Sequence, residues 1–259
     1  MNKTGIPWAT HVWNPIKGCS PVSEGCTNCY AKREAEGRLK RCGIAKYQDG
    51  FQVRFFPNTL DQPLHRWEPA RIFIGSMGDI FHDRIPDSFI MEIFRTAKEA
   101  ADKNGHKFML LTKRPLRMLR IMKDVEKEMG VIQGLYIGVT IENSLRFWDR
   151  WIPLLDAPAD GRFVSFEPLL SPIRVFDVIP HRRIQRTIDL AIIGCESGNN
   201  RRPCRHEWAK DLAYGFRLLG IPIFIKQLSR NPDGSGAIIK MPKIGGIVHD
   251  QIPEGLRIG

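Results

Sequence analysis

No apolar run in the 259 residues approaches the roughly 20 that a membrane-spanning helix needs. The opening segment, MNKTGIPWATHVW, lacks an apolar h-region, so no secretory leader is expected and the expected compartment is the cytoplasm. The chain has no internal repeat, low-complexity tract or long linker. With 42% hydrophobic and 26% charged residues it is neither a disordered chain nor a coiled coil. Six cysteines are too few for a disulfide scaffold at this length; clustered in a cytosolic chain, they suggest metal instead. Acidic residues are scarce, 28 against 39 Lys plus Arg, which leaves a net charge of +11. Such an excess attracts polyanions, nucleic acid first, the alternative being a basic but inert surface.

What is present is a regular alternation. From residue 71 onward, short apolar runs recur: RIFIGS (71–76), KFMLLT (107–112), LYIGVT (135–140), RFVSFE (162–167), LAIIGC (190–195) and PIFIKQ (222–227). None alternates strictly, as suits parallel strands covered on both faces. HVWNPI (11–16) is a further, short strand candidate. The intervening stretches read as helices. Segment 87–103 carries Phe89, Ile90, Ile93, Phe94, Ala97, Ala100 and Ala101 on one stripe, with Gly105 beyond its end. Segment 115–129 opens on Pro115 and carries Leu116, Leu119, Met122 and Val125. Asn143 is placed to cap a helix bearing Leu145, Trp148, Trp151, Ile152 and Leu155. Segment 206–219 carries Trp208, Ala209, Leu212, Ala213, Phe216 and Leu219; segment 168–188 is weaker.

The pattern implies an α/β fold: a partial (β/α)6-type, TIM-like barrel over residues 1–228, with an irregular extension, 229–259, packed on it. A doubly wound open sheet is the rival, and its dinucleotide-binding form lacks the Gly-x-Gly-x-x-Gly fingerprint here.

Folds of this kind place their chemistry at the carboxyl ends of the strands. Those ends are loaded with polar residues: Ser76 to Asp79, Thr112 to Arg114, Thr140 to Asn143, Ser165 and Glu167, Cys195 to Ser197, and Lys226 with Gln227. They need a ligand, water or each other. One reading is only a salt-bridge network of Lys113 and Lys226 with Glu142, Glu167 and Glu196.

Cys19, Cys26 and Cys29 crowd into GCSPVSEGCTNCYA with C-x6-C-x2-C spacing, leading into a helix at 30–40. Structural zinc usually takes four ligands, and Cys42 would have to be the fourth. An iron–sulfur cube on three thiolates leaves one iron open. Unliganded thiols are the third reading, and Cys195 and Cys204 read as isolated, buried thiols.

A three-cysteine loop after the first strand of such a barrel resembles the radical S-adenosylmethionine superfamily, although its commonest spacing is C-x3-C-x2-C. The chain is also similar to a phage- and bacterium-associated family of three-cysteine-motif proteins, through WNPIKGCSPVSEGCTNCYA, FIGSMGDIFHDRIP, LLTKRP, IGVTIEN, RFVSFEPLL, IIGCESG and IPIFIKQ. The resemblance implies a [4Fe-4S] cluster on Cys19, Cys26 and Cys29, S-adenosyl-L-methionine as cofactor, and an electron-donor partner. It places Tyr30 beside the adenine and Ser76, Gly78 and Asp79 at the amino group. Arg114 falls at the cofactor carboxylate, and Thr140, Glu142 and Asn143 at the ribose. Charge adds a nucleic-acid or nucleotide substrate, with Arg201, Arg202 and Arg205 as contacts and Arg182, Arg183 and Arg186 as a further cluster. Arg117 and Arg120 read as a solvated helical face, and Trp8, Trp13 and Trp67 as core or as base-stacking groups. The competing reading is a zinc-stabilised, non-catalytic nucleic-acid-binding protein.

Overall fold

The structure is a computed structural model that describes residues 1–175, 188–198 and 200–258. The strands are β1 (Asn2–Lys3), β2 (His11–Trp13), β3 (Ile16–Lys17), β4 (Arg54–Phe55), β5 (Arg71–Ile74), β6 (Lys107–Thr112), β7 (Leu135–Thr140), β8 (Gly161–Phe166), β9 (Leu190–Gly194), β10 (Ile223–Ser229), β11 (Ile238–Lys240), β12 (Lys243–Ile244) and β13 (Ile247–Val248). The helices are α1 (Tyr30–Glu34), which runs on into a wider π turn over Ala35–Leu39, then α2 (Asp87–Asn104), α3 (Pro115–Met129), α4 (Phe147–Asp156) and α5 (His206–Leu218).

Nine strands form one sheet in the order β1-β2-β5-β6-β7-β8-β9-β10-β11. The seven from β2 to β10 in that order pair in parallel. β1 and β11 add antiparallel edges. The fold is therefore α/β with a large, mostly parallel sheet. The HVWNPI run divides: only His11–Trp13 joins this sheet, while Ile16–Lys17 pairs with β4 in a small separate ribbon. The extension after residue 228 is more regular than its composition suggests, since β11 lies on β10 and Leu256 is fully buried.

Continuous apolar strands follow from cores on both faces. In β5, Ile72 and Ile74 pack outward with the helices, while Phe73 turns the other way. β6 repeats this with Phe108 and Leu110 against Met109, and β8 with Val164 and Phe166 against Phe163. Trp8 and Leu256 join the second cluster from the two ends of the chain. Among the expected helix stripes, α2 and α5 hold. In α3 the buried set is Met118, Ile121, Met122 and Val125, with Leu116 exposed. In α4 it is Phe147, Arg150, Trp151, Pro153 and Leu154, with Trp148 and Ile152 exposed, as is Leu145 in the turn before it. Asn143 does cap the turn before α4, accepting from the Arg146 amide at 3.1 Å. Trp13 is core and Trp67 is exposed. Among the described residues no helix is long and apolar enough to cross a membrane. Arg182, Arg183 and Arg186 lie outside the described residues.

Large inward rings demand small neighbours. A Cβ on Gly138 of β7 would meet the ring of Phe163, a fully buried member of the second cluster, at 2.5 Å. Gly138→Ala is expected to lower unfolding free energy by about 1–3 kcal/mol through overpacking. Gly37→Ala, where a Cβ meets nothing within 4 Å, serves as the control and should be neutral or stabilising. Equal urea midpoints for the two variants would contradict this packing.

Candidate functional site

The cysteine loop leaves the carboxyl end of β2 and is stitched back onto the end of β5. Gly18 forms a parallel bridge with Gly78, the Gly18 amide donating to the Met77 carbonyl at 2.9 Å. A Cβ on Gly78 would lie 2.7 Å from the Gly18 oxygen, so glycine is needed for this approach. Lys17, fully buried, anchors the loop from beneath: its ammonium pairs with Asp49 and donates to the Gly50 carbonyl at 3.1 Å. Gly78 of the glycine turn is thus a backbone contact for the loop.

The loop spreads across the ends of several strands. Ser23 donates to Glu142 Oε1 at 2.6 Å. Glu24 takes hydrogen bonds from Asn143 and from Arg146, the latter at 3.1 Å. Its carboxylate is held down to about 2, by its own backbone amide first and then by Asn143 and Arg146. The stability this contributes is present above the ordinary carboxylate value and is lost as pH falls through about 2. Asn28 donates to Glu196 at 2.8 Å, and Arg33 to the Ser197 carbonyl at 2.6 Å.

All three thiols are free, partly exposed and line one cavity of about 380 Å3. Arg114 donates to Cys19 Sγ at 3.1 Å and to Asp79 Oδ2 at 3.2 Å. Burial pushes the Cys19 thiol up to about 11, with Asp79 adding to this and Arg114 opposing it. Ser20 bridges Arg114 and His82, its hydroxyl lying 2.8 Å from His82 Nε2. Asp79 takes a shared hydrogen bond from the Thr112 hydroxyl, 2.8 Å from each of its oxygens, and another from the Phe81 amide at 3.0 Å. Tyr30 donates its hydroxyl to the Ser76 carbonyl.

Cys19, Cys26, Cys29, Tyr30, Ser76, Gly78, Asp79, Arg114 and Thr140 therefore share the cavity. Glu142 and Asn143, which the resemblance places at the ribose, are not among the residues lining it. Glu142 is fully buried behind Gly25, with Arg150 at 2.9 Å and Lys113 at 3.9 Å, and it fixes the loop. Arg114 is likewise taken by Asp79 and Cys19. Arg201 and Arg202 are braces too: Arg201 donates to the Gly198 and Gly236 carbonyls, and Arg202 to Glu196 and to the Glu24 carbonyl. Arg205, exposed, precedes α5. Arg117 is not a solvated residue, since it donates to the Ile85 carbonyl and Asp87, each at 2.6 Å. The salt-bridge reading holds for Lys226 with Glu167, at 2.6 Å, both of which line the cavity, and for Lys113 with Glu142, at 3.9 Å. Ser23, Asn28 and Arg150 escaped notice in the sequence because polar residues within loops and helices carry no spacing signal. Cys195 and Cys204 are buried thiols, pushed up by that burial to about 11 and about 12.

Among the described residues no three His, Cys, Asp or Glu side chains form a group that could hold a metal ion. Zinc sulfurs crowd round a single ion at about 2.3 Å. A cube distributes its thiolates over different irons, so its ligands stand farther apart. Cys19, Cys26 and Cys29 line one cavity without forming such a group. Cys42 is exposed and not among the residues lining the cavity.

Glu142→Ala would leave the buried Arg150 guanidinium uncompensated, and is expected to cost about 3–5 kcal/mol of stability. Ser23→Ala removes one hydrogen bond and should cost about 1–3 kcal/mol. Urea denaturation that finds Glu142→Ala to be the milder change would contradict the anchoring role.

Neither the curated proteins nor the solved structures contain a match to the chain. The family described as "Protein of unknown function (DUF5131)" matches residues 3–253, nearly the whole sequence. The chain belongs to the DUF5131 family.

Proposed function

We propose that the protein is a radical S-adenosylmethionine enzyme with a [4Fe-4S] cluster on Cys19, Cys26 and Cys29, its sheet curled as a partial (β/α)6-type barrel. The observation that carries the reading is the meeting of three free thiols with acidic, basic and hydroxyl groups in one cavity at the carboxyl ends of parallel strands. When bound, a cluster of this kind would supply one electron for reductive cleavage of S-adenosylmethionine. Cys19, Cys26 and Cys29 would each hold one of its four irons as thiolates.

Ser76, Asp79, Thr140 and Tyr30 are the cavity groups we assign to the cofactor. Arg114 is a positioning residue: it holds Asp79 in place and puts a positive charge against Cys19. Hydrogen bonds to a ligating sulfur stabilise its charge and tune the cluster. The apolar wall, with Trp8 and Phe73, keeps bulk water away from a reactive species. The reading requires a one-electron donor and a cytoplasmic setting.

Protein purified without oxygen is expected to be brown and to hold about four irons per chain. Given reductant and S-adenosylmethionine, it should release 5′-deoxyadenosine. Cys19→Ala, Cys26→Ala and Cys29→Ala should each lose the cluster, while Cys42→Ala should keep it. Colourless protein with stoichiometric zinc, lost on changing Cys42, would instead establish the four-thiolate zinc site.

A further inference from the structure

The run FIGSMGDIFHDRIP carries a second polar group besides those assigned above. Its Asp79 and His82 stand one short turn apart, the His82 amide donating to the Asp79 carbonyl at 3.0 Å. The His82 carbonyl is held as well, by the Ile85 amide at 2.9 Å and by Arg117. The His82 side chain is buried, and it is not among the residues lining the cavity.

The hydrogen bonds of the ring fix its tautomer. Nδ1 accepts from the Arg84 amide at 3.1 Å, so the imidazole carries its proton on Nε2. Nε2 lies 2.8 Å from the Ser20 hydroxyl oxygen and therefore donates to it. This direction excludes a serine nucleophile with His82 as its base, because that base needs a free lone pair on Nε2. Ser20 accepts instead, from His82 and, at 3.1 Å, from Arg114 Nη2.

Arg114 joins this pair to the cysteine. Its Nη1 meets Cys19 Sγ at 3.1 Å and Asp79 Oδ2 at 3.2 Å. Its Nη2 meets the Ser20 carbonyl at 3.0 Å and the Ser20 hydroxyl at 3.1 Å. A guanidinium is a rigid plane, so anchoring Nη2 sets the direction in which Nη1 points. The turn after β5 thus grips both ends of Arg114, directly through Asp79 and indirectly through His82 and Ser20. A long side chain left without one of these anchors regains rotamers, and those that leave Cys19 take the donor from its sulfur.

We propose that His82 is a positioning residue for Cys19, acting through Ser20 to hold the Arg114 guanidinium against the cysteine sulfur. The inference rests on Cys19 being a cluster ligand, as in the preceding reading, but the contacts it invokes need no iron.

The test uses the full chain, first free of iron. Iodoacetamide is added at fixed pH, and the modification rate of each cysteine is followed by peptide mass. A donor and a positive charge at a sulfur favour its thiolate, the form that reacts. Ser20→Ala, at an exposed position, should slow modification of Cys19 by about two- to threefold and leave Cys26 and Cys29 unchanged. His82→Phe, which keeps a ring and loses the donor, should do the same, and His82→Gln, which restores an N–H, should recover part of the rate. The two changes together should slow Cys19 no more than either alone, because they cut one chain of hydrogen bonds. Ser20→Ala decides by itself if the buried change prevents folding. Unchanged or faster modification of Cys19 in Ser20→Ala, or equal changes at all three cysteines, overturns the inference.

In anaerobically reconstituted protein, Ser20→Ala should keep the iron content and move the cluster's midpoint potential to more negative values, since a weakened donor at a ligating sulfur stabilises the reduced state less. A cluster whose potential ignores the change overturns the inference and leaves the radical reading intact. Protein that takes up no iron, yet shows the slowing confined to Cys19, sustains the positioning role and sinks only the radical reading.

Discussion

The backbone contact between Gly18 and Gly78 is the constraint on which the site depends. Gly78 lacks the Cβ that would strike the Gly18 backbone, and Gly18, at a positive φ of 80°, lacks the one that would strike the backbone of Gln52. That contact fixes Cys19 at a strand end, next to Arg114 and Asp79 from the neighbouring strands. Buried Lys17 holds the stretch just before Gly18 from below, and Ser23, Glu24 and Asn28 tie down the residues after it. A loop of this length, left free, would lose much conformational entropy on binding a cofactor. Held at both ends and in the middle, it presents its thiols already ordered.

The polar ring at the strand ends thus has two jobs. One part is architectural: Glu142, Asn143, Glu196, Arg150 and Arg202 hold the cysteine loop onto the sheet. The other part faces inward: Lys113, Glu167, Lys226 and Lys240 meet whatever the cavity holds. Ion pairs reach into the second group as well, Lys226 with Glu167 at 2.6 Å and Lys113 with Glu142 at 3.9 Å. The overall charge of +11 therefore overstates the basic surface available to a partner, since several of its arginines serve as internal braces.

Much of the fold was legible in the sequence. The six apolar runs from residue 71 are the strands β5 to β10, because strands buried on both faces need no polar alternation. The phase of α3 and α4 was less legible. Leu116, Leu145 and Trp148 are apolar yet exposed, and tertiary packing, not periodicity, chose Met118, Phe147 and Leu154 instead. At the site, the gathering of Cys19, Cys26 and Cys29 was signalled by their spacing. The role of Glu142 was not, because a carboxylate two residues past a strand reads the same whether it turns into the cavity or against Gly25. The same holds for Arg117, whose helical position suggested solvent but whose guanidinium reaches the carbonyls that close the preceding loop. The edge strand β11 was hidden in a Gly- and Pro-rich stretch by its shortness.

The most direct test of the central claim, three thiolates and one open iron, is electron paramagnetic resonance of the anaerobically reconstituted, reduced protein before and after addition of S-adenosylmethionine. A low-spin [4Fe-4S] signal whose g values shift on addition is the expected result, because the cofactor coordinates the iron that no cysteine holds. A signal indifferent to the cofactor, or no cluster signal beside a full complement of zinc, would contradict it.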